Sequence, residues 1–283
     1  MARVSLEAVK RFGIALGWVV LFAFSGGVVT LVLSRYLPIG GARSQLMRDV
    51  LYSLIGFLVA TIVVARVLAK ESWDRLGWHR PIGSRVANGA LLGLVMAALA
   101  IGLAFVFAGT RVSLTYDWES WPARAAWLAV FFLCAALVEE LIFRGFPLRR
   151  LADVIGPLPA MLVLSLGFAA AHAANPSVST LGAINIGLAG IWLSFAFFSA
   201  GGMALAWGLH VGWNAGLALA FDAPVSGYLF RVPAVEYTPG THAWVDGGTF
   251  GPEGGIVGTI VLIAGTLAVI GKRVKQPRTW LAG

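Results

Sequence analysis

Apolar residues dominate this chain in long stretches, and polar residues gather in the short segments between them. Each stretch is about 16 to 22 residues long, close to the ~20 residues that an α-helix needs to cross the hydrocarbon core of a bilayer. The pattern therefore predicts an all-α, polytopic membrane helix bundle with about eight transmembrane helices. The predicted spans are 13–33, 49–68, 87–109, 124–145, 158–174, 181–199, 203–221 and 256–271.

Composition supports the membrane interpretation. Hydrophobic residues make up 59% of the chain and charged residues only 12%, whereas about a quarter of a soluble domain is charged. This excludes an ordinary water-soluble enzyme. The net charge of +8 does not indicate a nucleic-acid partner, because the cations lie between the apolar stretches and form no continuous basic domain.

The positions of the cations predict an orientation. When alternate connections are assigned to opposite sides, most of the 21 Lys and Arg residues fall on one side, which the positive-inside rule makes cytoplasmic. Both termini are then cytoplasmic and the number of spans is even. We expect residues 1–283 to form a single membrane domain.

One long connection, residues 222–255, is rich in glycine and proline and shows no helical period. The orientation places it on the non-cytoplasmic side. A lid, a partner-binding site and a plain linker are all compatible with it, and the linker is favoured for a connection between two spans.

Ionisable residues interrupt three of the apolar stretches. Glu139 and Glu140 lie in the fourth, His172 in the fifth, and His210, followed by Asn214, in the seventh. An ionisable group at membrane depth costs several kcal/mol unless it is paired or faces water, so such residues are functional candidates. Counting the helical rise from the cytoplasmic turns gives compatible depths. We expect one shared pocket, reached more easily from the cytoplasm.

Helical spacing separates the two glutamates. Glu140 and Arg144 are four residues apart with the acid first, which favours an ion pair within the helix. Glu139 is rotated by about 100° from Glu140, has no local partner, and is the stronger candidate for chemistry.

Three glycines of the seventh stretch form a seam at intervals of four that predicts close packing against another helix; they are Gly208, Gly212 and Gly216.

Together these residues form three motifs: EELIFR at 139–144, FAAAH at 168–172 and HVGWN at 210–214. The set resembles the CAAX protease and bacteriocin-processing (CPBP) family of intramembrane proteases, in motif order and in distribution over separate spans. The resemblance covers about residues 125–220, a family-like catalytic core.

The resemblance implies peptide-bond hydrolysis in a helical bundle like that of the prenyl-protein CAAX endopeptidase. It further implies that Glu139 and His172 activate a water and that His210 and Asn214 stabilise the oxyanion. Supporting roles fall to Glu140, Arg144 and Phe168. No cofactor is required on this interpretation. The alternative is a zinc site with Glu139, His172 and His210 as ligands, because one Glu and two His can bind zinc with water in the fourth position.

Other classes of function stay open on the sequence alone. A non-catalytic family member, such as an immunity or scaffold protein, would keep the bundle, although no motif position is missing here. A small transporter would also need mid-membrane acids and histidines, but the two halves of this chain show no similarity to each other. The predicted partners are the lipid bilayer and a membrane-anchored or C-terminally processed protein or peptide. The predicted location is a prokaryotic plasma membrane.

Overall fold

The computed structural model describes residues 6–37, 45–115, 117–232 and 234–273, and within them the chain is predominantly helical. The α-helices of the described residues are α1 (Leu6–Tyr36), α2 (Gln45–Ala60), α3 (Ile82–Ala108), α4 (Trp121–Phe143), α5 (Phe146–Ile155), α6 (Pro157–Ala171), α7 (Thr180–Phe197), α8 (Gly202–Ala215), α9 (Ala243–Asp246) and α10 (Ile256–Arg273). Helix α2 continues as a π-helix over Thr61–Leu68, and α8 continues as one over Gly216–Ala220.

Each predicted span overlaps one of these helices. Among the described residues, five helical segments are long and apolar enough to cross a membrane: Leu6–Tyr36, Gln45–Leu68, Ile82–Ala108, Trp121–Ile155 and Thr180–Phe197. Helices α6 and α10 are apolar but shorter, and the 15 residues of α6 extend over only about 22 Å. The all-helical membrane architecture is confirmed. The count of eight stays a prediction, since only five described segments have spanning length. The cytoplasmic location of the termini also stays a prediction, and residues 1–5 and 274–283 lie outside the described ranges.

The chain turns after α4 and enters a short helix that the hydrophobic pattern did not predict. Gly145 and Pro147 follow the last turn of α4, and α5 starts at Phe146. One face of α5 buries apolar side chains, among them Leu148 and Leu151. The opposite face carries Arg149, Arg150 and Asp153, which form ion pairs with one another or with residues of the α2–α3 connection.

Helices α3 and α8 pack with their backbones in close contact. A Cβ atom on Gly212 would lie 2.0 Å from the carbonyl oxygen of Ala90, and one on Gly208 would lie 2.2 Å from that of Val86. Gly89 and Gly93 of α3 make the reciprocal approach to α8. The predicted packing of the glycine seam against another helix is confirmed.

The connection at 222–255 is folded. Its strand β2 (Val235–Thr238) pairs antiparallel with β1 (Arg111–Leu114), which follows α3. Helix α9 and two short 3₁₀ turns, Gly248–Phe250 and Pro252–Gly254, lead into α10. Residues 250–255 are all buried, so this part of the segment packs as core.

Candidate active site

The two adjacent glutamates near the end of α4 point to different surroundings. Glu140 is fully buried beside Arg144, whose Nη1 donates to Glu140 Oε1 at 3.3 Å. The predicted ion pair therefore forms. The side chain of Glu139 is 31% exposed and faces a cavity, as expected for a residue rotated by about 100° from its neighbour.

His172 lies directly after the last residue of α6, not within the helix. The helix ends in a tighter turn, in which the backbone N–H groups of His172 and Ala173 bond to carbonyls three residues earlier. Pro176 then prevents the helix from continuing. The Nδ1 atom of His172 lies 2.8 Å from the carbonyl oxygen of Phe168. A carbonyl only accepts, so Nδ1 carries the proton. The Nε2 atom faces Glu139, 3.9 Å from its Oε2.

His210 contacts both glutamates from α8. Its Nε2 lies 3.6 Å from Glu139 Oε2, and its Nδ1 lies 2.9 Å from Glu140 Oε1. Glu140 thus joins Arg144 on its own helix to an imidazole on another helix. Sequence spacing indicated only the Arg144 contact, because His210 is 70 residues away along the chain.

One carboxylate oxygen is common to both histidines. Each imidazole directs its Nε2 towards Glu139 Oε2, at distances longer than a direct hydrogen bond. No group in the described parts of the chain hydrogen-bonds this buried oxygen. Separations of this size are commonly bridged by water.

Phe168 packs at the centre of this group. The guanidinium carbon of Arg144 lies 4.3 Å from the centre of its ring. The ring centres of His172 and His210 lie 4.6 Å and 6.1 Å away. Phe168 therefore contacts a buried cation and both imidazoles.

All four residues predicted to take part in chemistry line one cavity of about 470 Å³: Glu139, His172, His210 and Asn214. Asn214 lies one turn after His210 on α8 and is partly exposed. Helices α2, α4, α6, α7, α8 and α10 contribute apolar wall residues, including Phe131, Phe132, Trp192 and Leu262.

Further residues with polar groups line this cavity and were not predicted; they include Asn175, Trp213, Ser226, Tyr228 and Glu253. Trp213 lies inside the third motif, but an indole gives no chemical signal in an apolar helix. Ser226 and Glu253 belong to the 222–255 connection, where the absence of a helical period gave no indication of their position.

The zinc alternative requires three ligand side chains around one point. Among the residues that the structure describes, no group of three or more His, Cys, Asp and Glu side chains has the arrangement needed to hold a metal ion.

Comparison with known proteins identifies the segment that carries the site. Residues 120–216 match the family model described as type II CAAX prenyl endopeptidase Rce1-like. No curated protein matches the chain significantly. The matched segment contains all three motifs and runs from the first residues of α4 to the last residues of α8. The resemblance that the motifs indicated is thereby confirmed: residues 120–216 of this integral membrane protein match the model of an Rce1-like protease family.

Proposed function

We propose that this protein is an intramembrane endopeptidase that hydrolyses a peptide bond near the end of a membrane-associated or lipidated protein or peptide. One observation carries the proposal: two imidazole Nε2 atoms converge on Glu139 Oε2, which has no hydrogen-bond partner among the described residues. Its location within a segment that matches a protease family supports the same conclusion.

Glu139 and His172 are arranged so that together they can act as the general base that activates a water. A water bound between Glu139 Oε2 and His172 Nε2 loses a proton to Glu139 as its oxygen attacks the substrate carbonyl carbon. The tetrahedral intermediate collapses with cleavage of the C–N bond, and Glu139 returns the proton to the leaving nitrogen. The hydrogen bond to the Phe168 carbonyl holds His172 in the tautomer whose Nε2 accepts.

His210 and Asn214 supply the donors for the oxyanion in this proposal. The Asn214 carboxamide donates from the cavity wall. When His210 Nδ1 donates to ionised Glu140, Nε2 carries a proton only if the ring is doubly protonated. The oxyanion role therefore requires the imidazolium, with Glu140 as its counter-ion. Donors held in place where water is scarce typically contribute about 2.7 to 4 kcal/mol each.

The substrate class follows from the lining of the cavity. Its apolar walls suit an extended peptide segment or a membrane-anchored tail that enters from the bilayer or the cytoplasmic side. A prokaryotic plasma membrane is the location that we propose.

A glutamate mechanism without a metal and a zinc mechanism differ in one measurable property. In the first, activity survives 1,10-phenanthroline and EDTA. In the second, Glu139, His172 and His210 would be the ligands, and chelation would abolish cleavage until zinc is restored. We expect purified protein to keep its rate after chelation, since the family resemblance favours a glutamate mechanism without a metal.

The principal test compares membrane proteomes of cells that express wild type, Glu139→Ala or Glu236→Ala at equal levels. Glu236 is a matched control, because it is an exposed glutamate on β2. Precursors should accumulate, and new termini disappear, only with Glu139→Ala. Identical proteomes for all three would reject the protease and favour a non-catalytic family member. A changed solute uptake with unchanged termini would favour a transporter.

A further inference from the structure

The folded segment at 222–255 forms one wall of the candidate active-site cavity, although it lies outside the residues that match the protease family. Its contributions to the lining are Val225, Ser226, Tyr228, Phe230 and Glu253. Phe250 of the same segment packs in a buried cluster with Phe168 of the second motif. The segment thus contacts the motif residues and the cavity that they share.

Glu253 is a buried carboxylate in this wall, and only 5% of the residue is exposed. Its Oε1 accepts a hydrogen bond from Trp213 Nε1 at 2.8 Å. Its Oε2 accepts from the backbone N–H and the hydroxyl of Ser226. Three donors therefore converge on one carboxylate, and the first of them, Trp213, immediately precedes Asn214 on α8.

The same chain of hydrogen bonds continues to the turn that carries His172. The carbonyl of Ser226 accepts from Asn175 Nδ2 at 2.9 Å, and the backbone N–H of Asn175 donates to the carbonyl of His172 at 3.0 Å. Gly227 fits tightly against this turn, since a Cβ there would lie 2.1 Å from the carbonyl oxygen of Pro176. Glu253 and Ser226 thus connect α8 with the residues just beyond α6.

The backbone at Glu253 is anchored from the opposite side. Asn185 of α7 is fully buried and donates through Nδ2 to the carbonyls of Glu253 and Gly255, both at 2.8 Å. Its Oδ1 accepts from the hydroxyl of Thr259 on α10 at 2.7 Å. The backbone that carries the carboxylate is therefore hydrogen-bonded to α7, which is itself hydrogen-bonded to α10.

We propose that Glu253 is a positioning residue for the peptidase site, holding the His172 turn at a fixed distance from His210 and Asn214. This inference rests on the proposed function. Glu253 does not act as an acid or base in this arrangement, because both of its oxygens are occupied by protein donors. His172 depends on such support, because it lies past the end of α6 and is followed by exposed residues.

The positioning role can be tested by comparing the cleavage kinetics of Glu253→Gln with those of a matched control variant. The control is Asp246→Asn, a fully buried carboxylate of the same segment that accepts from Thr110, Gly240 and Gly248 but does not line the cavity. With a quenched peptide that ends in a prenylated CAAX sequence, Glu253→Gln should lower kcat by about 10- to 100-fold, as expected for a misplacement near 1 Å. KM should change little, because the lost contacts are within the protein. Asp246→Asn should keep kcat per folded molecule.

Hydrogen exchange provides a readout that needs no substrate. In full-length protein in nanodiscs, Glu253→Gln should speed amide exchange at 172–179 together with 225–228. Asp246→Asn should speed it only around 240–250. Unchanged exchange at 172–179, or equal kcat loss in both variants, would overturn the positioning role. If wild type cleaves nothing while the exchange results hold, the proposed function fails and the structural link stands.

Discussion

The adjacent residues Glu139 and Glu140 differ in role because one residue step rotates a helix by about 100°. The i,i+4 spacing of Glu140 and Arg144 was sufficient to predict their ion pair. It could not predict that the same Glu140 oxygen also lies 2.9 Å from His210 Nδ1, since periodicity describes neighbours on one helix only. The role of Glu140 is therefore twofold: it balances a buried cation and orients an imidazole.

Two variants should separate the charge-balancing role of Glu140 from its orienting role: one replaces Glu140 alone, and the other replaces both Glu140 and Arg144. Glu140→Gln leaves the buried Arg144 without its counter-charge, and we expect a loss of about 3 to 5 kcal/mol in stability. The double variant Glu140→Leu/Arg144→Met should recover much of the loss, as apolar replacements of buried ion pairs often do. It should nevertheless remain poorly active, because His210 still lacks its partner. Thermal unfolding and cleavage rate per folded molecule measure the two effects, and recovery of both would contradict the orienting role.

Helix α8 links the candidate site to the packing of the bundle, because it carries His210 and Asn214 while its other face packs on α3. The glycine spacing on α8 predicted this contact correctly. Helix α5 and the strand pair were missed for a physical reason: ten amphipathic residues and two four-residue strands produce too weak a periodic signal. The predicted fifth span runs to 174, whereas α6 ends at Ala171, because the chain tightens into i→i−3 bonded turns that a hydrophobic pattern does not show.

The contact between α3 and α8 should be sensitive to a single methyl group. Gly212→Ala would place its Cβ 2.0 Å from the carbonyl oxygen of Ala90, so the helices must separate, at a cost of about 1 to 3 kcal/mol. The control is Gly102→Ala on α3, where a Cβ meets nothing within 4 Å and the better helix propensity of alanine applies. We expect Gly212→Ala to unfold at a lower temperature and to lose activity. Equal melting temperatures for both variants would contradict the packing.

For the whole molecule, the sequence predicted a membrane bundle with a shared polar pocket, and the three motifs indicated the family whose model matches residues 120–216. Their side chains do meet in one cavity. What the sequence could not indicate is the wall formed by 222–255, because Glu253 and Ser226 are brought to the site by long-range contacts rather than by a local pattern. The orientation in the bilayer is still a prediction from the distribution of Lys and Arg.

Thiol labelling can test that orientation. In a Cys134→Ser background, which removes the single cysteine, Ser113→Cys and Ser72→Cys place exposed thiols on β1 and in the α2–α3 connection. A membrane-impermeant maleimide should label Ser113→Cys in intact cells, and Ser72→Cys only after permeabilisation. The reverse result would invert the orientation.

The pairing of β1 with β2 also has a consequence for biosynthesis. The strands follow α3 and α8 respectively, so β1 leaves the ribosome long before its partner, and all three motifs emerge before Ser226 and Glu253. Translation proceeds at about 5 to 20 residues per second, which leaves an interval of seconds between these events. A nascent chain therefore holds every motif residue before it has the wall that joins them, and the cavity is completed only when nearly the whole chain has been inserted.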